Sequence, residues 1–432
     1  MNRSMLVELH THLYGGLALE DLEWLAARNE PRWPIFIESY RRAYNSEPNI
    51  SGLFEGTAES RQRLAATYYF LRPGNFAAFQ CAFDLVIALS RTDPEELLEI
   101  TRRVVGRQES AYAEYRMLLS PRETHESFRE KLIALCQGLE LASKITGRDA
   151  RLAMSLPRDP ATGRELYRVL RECQAAKRIV QDRLVAIDFC AIEEGYRPRD
   201  KASLFDEIIS DNRKRPEQAL AILYHVGESF EDKSLESAAR WVVEAARLGA
   251  HRLGHCVALG VPPEFYLGTT RRELACERLD QIDFELREAA QLARAGYDID
   301  RAALEKEAQE LSATDPGRSI DVHYDSARIG RARAFQDWAM QAVRETGAII
   351  ESCPSSNLRI AGLGSPDWHP LARFLEAELP TVIGADDPGI LATGLEAELE
   401  MVAGWRGVGR EQVARMKARA LECTSPALTG RQ

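Results

Sequence analysis

The chain has 432 residues, of which 45% are hydrophobic and 28% charged, so it can bury a large core and is not disordered as a whole. Its formal net charge is −10 and no basic run or stripe stands out, which argues against nucleic-acid binding. No segment reaches the roughly 18 uninterrupted apolar residues of a membrane span, and the stretch from Met1 to His12 lacks the apolar centre of a secretory signal.

Short apolar segments alternate with longer amphipathic ones along the chain, which is the pattern of repeated βα units. The predicted strands are Met5–Leu9, Ala113–Leu118, Ala150–Ser155, Leu184–Phe189, Ala221–His225, His251–His255, Ala348–Ser352 and Thr381–Ala385. Several are nearly continuous apolar runs, as expected for parallel strands covered on both faces. Eight such strands with helices between them favour a closed α/β architecture, the (β/α)8 or TIM barrel, over an open sheet.

Two connections are too long for a single crossover helix. The first, from about 18 to 108, is predicted to be helical and to include a helix over Ser90–Gly106. The second, from about 261 to 343, contains the charged segment Arg271–Glu310, also predicted as helix. We therefore expect one domain over residues 1–432 with two helical insertions above the catalytic face. Aromatic residues between Tyr68 and Phe83 are expected partly to line a pocket there and partly to fill the insertion's own core.

Histidines and acidic residues recur where the predicted strands end. His10 and His12 are two residues apart on extended backbone, so both imidazoles project to one face and can reach one metal ion. At other strand ends stand His225 with Glu228, His255, and Asp386 with Asp387. An isolated HxH pair is weak evidence for a metal site. Because barrel strands converge at their carboxyl ends, however, these groups are predicted to share one pocket.

The remaining histidines are given structural interpretations. We expect His251 to be a core or surface residue, and His125 and His369 to be exposed. His323 lies near several arginines, where a solvated helical face is favoured over a phosphate site.

Five motifs in order carry a family resemblance. They are His10-Thr-His12, His225-Val-Gly-Glu228, Arg252-Leu-Gly-His255, Ser352-Cys-Pro-Ser-Ser-Asn357 and Asp386-Asp387-Pro388. The series resembles that of the adenosine deaminase family within the amidohydrolase superfamily, and it extends over nearly the whole chain. The resemblance implies a zinc-dependent hydrolase of purine metabolism that removes ammonia from an aminopurine.

The resemblance also implies a role for each matching residue. One zinc ion per chain would be bound by His10, His12, His225 and Asp386. Glu228 would donate a proton to the purine N1, His255 would orient the attacking water and help to deprotonate it, and Asp387 would hydrogen-bond N7. These roles agree with the chemistry, since zinc lowers the pKa of bound water to about 7 and a dry pocket keeps a carboxylic acid protonated.

Two positions depart from the family pattern. Tyr14 stands where adenosine deaminases usually have an aspartate that receives the ribose 5′-hydroxyl, so we expect a substrate modified at the 5′ or N6 position, or one without ribose. The alternative is that Tyr14 only packs against the first insertion. Ala191 stands where the family has a glycine whose backbone N–H contacts the purine N3, and that donor survives the change.

Two other functions remain as alternatives. One is a different amidohydrolase reaction, on an amide, a lactone or a phosphoester. Such enzymes usually hold two metals bridged by a modified lysine after strand four, and Asp188-Phe-Cys-Ala191 has no lysine. The other is a non-catalytic assembly subunit, for which the second insertion would suit homo-oligomer contacts. Eight dispersed cysteines without a CxxC pair predict reduced thiols and a cytoplasmic location.

Overall fold

The computed structural model describes residues 6–431. Its strands are β1 Val7–His12, β2 Tyr112–Leu118, β3 Asp149–Ser155, β4 Leu184–Asp188, β5 Ala221–Val226, β6 Arg252–His255, β7 Thr270–Leu274, β8 Ser319–His323, β9 Ile349–Ser352 and β10 Thr381–Ile383. The eight predicted strands correspond to all of these except β7 and β8. Their bounds agree to within about three residues, which is the usual precision of such patterns. Met5, the predicted first residue of β1, lies outside the described residues.

Eight of the strands form one parallel sheet in the order β1-β2-β3-β4-β5-β6-β9-β10. Backbone hydrogen bonds join the sheet's two ends, since His12 N donates to Asp386 O at 2.8 Å and Asp386 N donates to His10 O at 2.8 Å. The predicted α/β barrel is therefore confirmed. This closure also places Asp386, which follows β10, beside the histidines of β1.

Helices cover the outside of the barrel. The first connection contains α1 Leu19–Arg28, α2 Trp33–Tyr44, α3 Ala58–Tyr68, α4 Phe76–Leu89 and α5 Pro94–Arg107. Between β2 and β6 lie α6 His125–Thr146, α7 Pro160–Ala176, α8 Arg178–Arg183, α9 Ala202–Lys214 and α10 Leu235–Arg247. Those between β6 and β9 are α11 Val257–Gly260, α12 Ala275–Arg294, α13 Arg301–Ser312 and α14 Ser326–Thr346. The rest are α15 Pro354–Ile360, α16 Leu371–Glu376, α17 Leu395–Ala403, α18 Gly409–Glu422 and α19 Ser425–Thr429. Within residues 6–431 no helix is long and apolar enough to cross a membrane.

The helix predicted over Ser90–Gly106 begins later, at Pro94, because Asp93 is its N-cap. The Asp93 side chain accepts a hydrogen bond from Glu96 N at 3.0 Å. Pro94 occupies the first helical position, where the backbone N–H that proline lacks would have no partner within the helix. This cap sets the direction of α5, which brings Glu96 beneath Tyr14.

The second insertion is not entirely helical. Thr270–Leu274 pairs antiparallel with Ser319–His323 as a two-stranded ribbon, so the prediction of helix from Arg271 was wrong for its first turn. The ribbon encloses α12 and α13. Glu273 explains its placement, because this buried carboxyl group accepts a hydrogen bond from Ser234 Oγ at 2.7 Å and anchors the ribbon to the start of α10.

The interior of the barrel contains a buried network of charges. Its members are Glu114, Arg116, Asp188, Arg252 and Glu351, each at most 1% exposed. Arg252 Nε lies 2.8 Å from Glu351 Oε1, and Arg116 Nε lies 3.5 Å from Asp188 Oδ1. Buried charges are stable only when paired and hydrogen-bonded, so this network holds its carboxylates in fixed positions.

Lys201 is a further buried basic residue outside this network, and it predicts a pH-dependent stability. Burial and the nearby Arg158 guanidinium lower the pKa of Lys201 from 10.5 to about 7. Between these two values the unfolded chain binds a proton that the folded chain does not, so the free energy of unfolding falls as the pH decreases and levels off below 7. Lys201→Met removes this cost. We expect urea unfolding to show a gain of about 2–4 kcal/mol at pH 6 and a smaller one at pH 9. An equal gain at both pH values would contradict the lowered pKa.

Candidate functional site

The four predicted metal ligands lie together at the carboxyl end of the barrel. One ligand atom from each of His10, His12, His225 and Asp386 lies within 4.8 Å of the others. His12 Nε2 is 3.2 Å from His225 Nε2, and Asp386 Oδ1 is 3.4 Å from Nε2 of both His10 and His12. Within residues 6–431, the buried His10 Nε2 has no hydrogen-bond partner. Three imidazoles and a carboxylate around such an orphaned nitrogen fit a divalent metal ion.

Carboxylates behind two of these imidazoles fix their orientation. His10 Nδ1 lies 2.9 Å from Glu351 Oε2, and His225 Nδ1 lies 3.0 Å from Asp188 Oδ1. Burial alone would raise the pKa of Asp188, but His225 and Arg116 hold it well below its usual range. Arg116 and Arg252 do the same for the pKa of Glu351 against its burial. An ionised carboxylate at Nδ1 keeps the proton there and leaves Nε2 as the free donor atom for a metal.

Burial also keeps His12 and His225 in the neutral form that metals bind. It lowers the pKa of His12 to about 4 and the pKa of His225 well below its usual range. Both rings are therefore neutral at pH 7, with a nitrogen lone pair available for a metal.

A second, overlapping group of donors consists of His10, His255, Cys353 and Asp386. This group fits a metal less well. Burial raises the pKa of the Cys353 thiol well above its usual range, so the thiolate that a metal requires is disfavoured. His255 Nδ1 lies 2.9 Å from the amide oxygen of Asn357 rather than from a carboxylate. The predicted ligand set is therefore the better of the two.

Glu228 and His255 face each other beside the four predicted metal ligands. Their Oε1 and Nε2 atoms are 3.7 Å apart. Burial first, and then the neighbouring Asp386, raise the pKa of Glu228 well above its usual range. A carboxylic acid that stays protonated near neutral pH can give a proton to a bound molecule, while the adjacent imidazole can hold or accept another.

His255 belongs to a chain of polar contacts that was only partly anticipated. Asn357 Nδ2 lies 3.2 Å from His369 Nε2, so Asn357 bridges two imidazoles. The prediction that His369 is exposed was wrong, since it is only 2% exposed. His369 Nδ1 also accepts a hydrogen bond from Leu371 N at 3.1 Å. This chain fixes the His255 ring.

Asp387 and Ala191 line the same cleft as Glu228 and His255. Within the described chain, Asp387 Oδ1 is buried without a hydrogen-bond partner. Burial and the adjacent Asp386 carboxylate raise the pKa of Asp387, which favours its protonated, donating form. Ala191 has a φ of +66°, a conformation that favours glycine, so alanine costs about 1 kcal/mol there.

Strained backbone is concentrated at this site. Ala191, His255 and Asp386 all have positive φ, at 66°, 64° and 63°. Left-handed backbone at a non-glycine residue is uncommon and persists only where the surroundings enforce it. Glycine is required at Gly254 for another reason, since a Cβ there would lie 2.9 Å from His10 Cε1.

A cleft of about 480 Å³ leads to these groups. Its inner end contains His12, His225, Glu228, His255, Asp386 and Asp387, and its walls include Phe76, Phe79 and Phe83 of α4. Tyr68, in contrast, packs inside the first insertion, where its hydroxyl donates to Leu17 O at 2.8 Å. The aromatic residues of this insertion therefore divide between the cleft wall and the core, as expected.

Tyr14 also lines the cleft, but its hydroxyl is engaged elsewhere. It donates to Glu96 Oε1 at 2.8 Å, and Tyr14 is 5% exposed. Glu96 itself accepts hydrogen bonds from Arg91 N and Thr92 N, both at 2.9 Å. Tyr14 therefore both packs against the first insertion, through α5, and presents one edge to the cleft.

Several supporting residues were missed by sequence reasoning. Glu351 and Arg116 were not singled out, although a charged residue within an apolar strand is a signal that could have found both. Asp188 and Asn357 were noted only as parts of motifs, because their partners are His225 and His255 on other strands.

Comparison with known proteins shows which family the sequence resembles. The sequence model of the adenosine deaminase family matches residues 321–427. Over this segment, about a quarter of its length, the chain is similar to the adenosine deaminase family. An adenine deaminase of Sinorhizobium medicae is 33% identical over 138 residues, covering 31% of this chain and 42% of that protein. The alignments with this and another curated relative cover only 21% to 42% of their lengths.

Two solved structures share the fold over almost the whole chain. An adenine deaminase from Arthrobacter aurescens has a TM-score of 0.60 and 16% identity, covering 99% of this chain and 97% of that one. An amidohydrolase from Burkholderia ambifaria with bound Zn has a TM-score of 0.58 and 15% identity, covering 97% and 85%. At these identities the likeness shows the fold alone.

Proposed function

We propose that this protein hydrolytically deaminates an aminopurine and releases ammonia. The observation that carries the proposal is the convergence of one metal-ligand set, one buried acid and one imidazole at the inner end of a single cleft. Adenine deaminase relatives support the same reaction class. In this reaction water adds at the ring carbon that bears the amine, the C–N bond breaks, and ammonia leaves.

Glu228 and His255 would manage the protons of this reaction. Glu228, kept protonated by burial, donates to the ring nitrogen N1 as water adds to the adjacent carbon. His255, held by Asn357, orients the attacking water and receives its proton. The departing amine takes up the proton that His255 received and leaves as ammonia, and the remaining hydroxyl proton returns to Glu228.

Asp387 and Ala191 would orient the purine. The N7 atom is an acceptor, so it requires a donor, and a protonated Asp387 provides one. Within the described residues, the backbone N–H of Ala191 makes no hydrogen bond and is free to meet N3. Contacts at both edges of the ring would hold the reacting carbon close to the metal ligands.

We further propose that the metal is a single zinc ion held by His10, His12, His225 and Asp386. Bound zinc supplies Lewis-acid chemistry, which makes water a good nucleophile at neutral pH. The donor set and the zinc-containing amidohydrolase support this assignment. Asp188, hydrogen-bonded to His225, occupies the end of β4, where a binuclear enzyme would need its bridging lysine.

The substrate is proposed to differ from adenosine at the 5′ or N6 position, or to lack ribose. Tyr14 supports this proposal, because the cleft is lined by its phenol group where a carboxylate would accept the ribose 5′-hydroxyl. The hydroxyl proton of Tyr14 is itself donated to Glu96. The first test is a panel of adenine, adenosine and their 5′- and N6-modified forms. Each reaction is monitored by the release of ammonia and by the change in ultraviolet absorbance from a 6-amino to a 6-oxo purine. Modified forms are expected to react at least about tenfold faster than adenosine. Adenosine would lack the hydrogen bond from its 5′-hydroxyl to a carboxylate, and the loss of one hydrogen bond to a charged group has an effect of about this size. Equal rates would contradict the role of Tyr14.

The same panel discriminates the alternative functions. Absence of ammonia from every aminopurine, with about two metals per chain, would favour a hydrolase for amides, lactones or phosphoesters. Absence of any turnover would favour an assembly subunit. A cytoplasmic location, suggested by eight free cysteines, and homo-oligomer contacts through residues 261–343 remain parts of the proposal.

A further inference from the structure

Glu193 joins two loops at the mouth of the barrel. It lies in the loop after β4, is 3% exposed, and accepts hydrogen bonds from three successive backbone N–H groups after β5. Gly227 N and Glu228 N each donate at 2.8 Å, and Ser229 N donates at 3.2 Å. The strand has ended there and Gly227 has a φ of +67°, so these donors have left the regular sheet pattern. Without Glu193 they would be buried and unpaired.

Arg158 secures the other side of the same two loops. Its Nη2 donates to His225 O at 2.8 Å, and its Nε donates to Cys190 O at 3.0 Å. The side chain is 5% exposed and lies 5.1 Å from the centre of the Tyr224 ring. The loop after β4 and the end of β5 are thus held at two separate points, with Ala191 between them.

Glu228 itself has few contacts that would fix its side chain. Within residues 6–431 its carboxyl group makes no hydrogen bond, and its Oε1 atom lies 3.7 Å from Nε2 of His255. Its position is therefore set mainly by the backbone to which it is attached. That backbone is held by Glu193.

We propose that Glu193 is a positioning residue, which fixes Glu228 relative to the purine-contacting backbone of Ala191. The proposal rests on the proposed function of the cleft. Ala191 and Glu193 are two residues apart in one loop. The same loop would therefore position both the purine, through Ala191, and the Glu228 carboxyl group, through Glu193, and so fix the distance between them. A displacement of about 1 Å between reacting groups can cost roughly 10²-fold in rate.

The test is Glu193→Gln, with Glu194→Gln as the matched control. The glutamine has one acceptor oxygen, and its NH₂ group must face a backbone N–H. Glu194 touches the same loop through Ser229 Oγ at 2.9 Å but not the backbone of Gly227 or Glu228. With the aminopurine that the wild type deaminates best, we expect kcat of Glu193→Gln to fall about 10²-fold. KM should change less than about threefold and the metal content should stay unchanged, because ground-state binding and the ligands are not touched. Glu194→Gln should match the wild type.

Rescue separates positioning from a general loss of structure. Glu193→Asp keeps both acceptor oxygens on a shorter side chain, so it should recover part of the lost kcat. A wild-type kcat for Glu193→Gln overturns the proposal, and so does an equal loss of kcat in Glu193→Gln and Glu194→Gln. If Glu193→Gln does not fold, Glu193→Asp carries the test, and a wild-type kcat for it overturns the proposal.

Hydrogen exchange keeps the inference independent of the substrate. In Glu193→Gln the amide hydrogens of residues 227–229 should exchange at least about tenfold faster, as expected when one hydrogen bond is lost, while β5 stays protected. Unchanged exchange overturns the positioning role. If the wild type deaminates no aminopurine, the proposed function fails, and the exchange rates alone decide whether Glu193 holds this turn.

Discussion

His225→Gln is expected to purify without a metal ion and to release no ammonia. The change removes one of the four grouped donors and also breaks the contact between His225 Nδ1 and Asp188. Cys353→Ser is the matched control, because Cys353 belongs only to the second, overlapping donor group. It should retain about one zinc per chain and most of its activity. Metal analysis of the purified proteins measures both.

Thermal unfolding gives a second readout that requires no substrate. A ligand at about 1,000 times its Kd stabilises the folded state by about 4 kcal/mol. For a chain of this length we expect chelation to lower the Tm of the wild type and of Cys353→Ser by about 5 °C. The Tm of His225→Gln should not respond to a chelator. Loss of metal from Cys353→Ser instead of His225→Gln would assign the metal to the second donor group.

The strands and the strand-end residues were predictable from sequence because both depend on local information. Parallel strands covered on both faces leave short apolar runs, and the carboxyl ends of barrel strands must converge. The positions of His10 and Asp386 relative to each other follow from barrel closure, which joins the first strand to the last. The motifs that resemble those of adenosine deaminases therefore pointed to this group of donors, and the structure places the four side chains together.

What could not be predicted depends on pairing between distant segments. The ribbon of β7 and β8 joins Thr270–Leu274 to Ser319–His323 across two helices. The charged sequence of Thr270–Leu274 has no apolar alternation to reveal a strand, although Ile320 and Val322 alternate in its partner. His369 is buried between Asn357 and the start of α16, which are distant from each other in the sequence. Glu193 shows the same limit, since its partners are backbone N–H groups of a turn after another strand.

The barrel interior explains why so many charges lie beneath one metal site. Arg116 and Arg252 keep the Glu351 carboxylate ionised, and Glu351 in turn orients His10. An apolar interior would pack more simply, but it would leave His10 Nδ1 without a partner and its tautomer unspecified. The buried network therefore serves the ligand geometry as well as the fold.

Glu228→Gln is expected to lower kcat by at least about 10³-fold while the metal content stays at the wild-type level. Glutamine has nearly the same shape but cannot donate a carboxylic acid proton, and Glu228 is not among the grouped ligands. Glu231→Gln, the same change at an exposed position three residues further on, is the control and should retain full activity. Retained activity in Glu228→Gln would contradict its role as the acid.

The pH profile tests the same assignment in another way. Because burial raises the pKa of Glu228 well above its usual range, the acid stays protonated at neutral pH, and activity should fall only as the pH rises past that raised value. The residual activity of Glu228→Gln should lack this alkaline decline, since glutamine does not titrate. A decline of the same size and midpoint in both proteins would show that another group loses its proton there, and would remove Glu228 as the donor to N1.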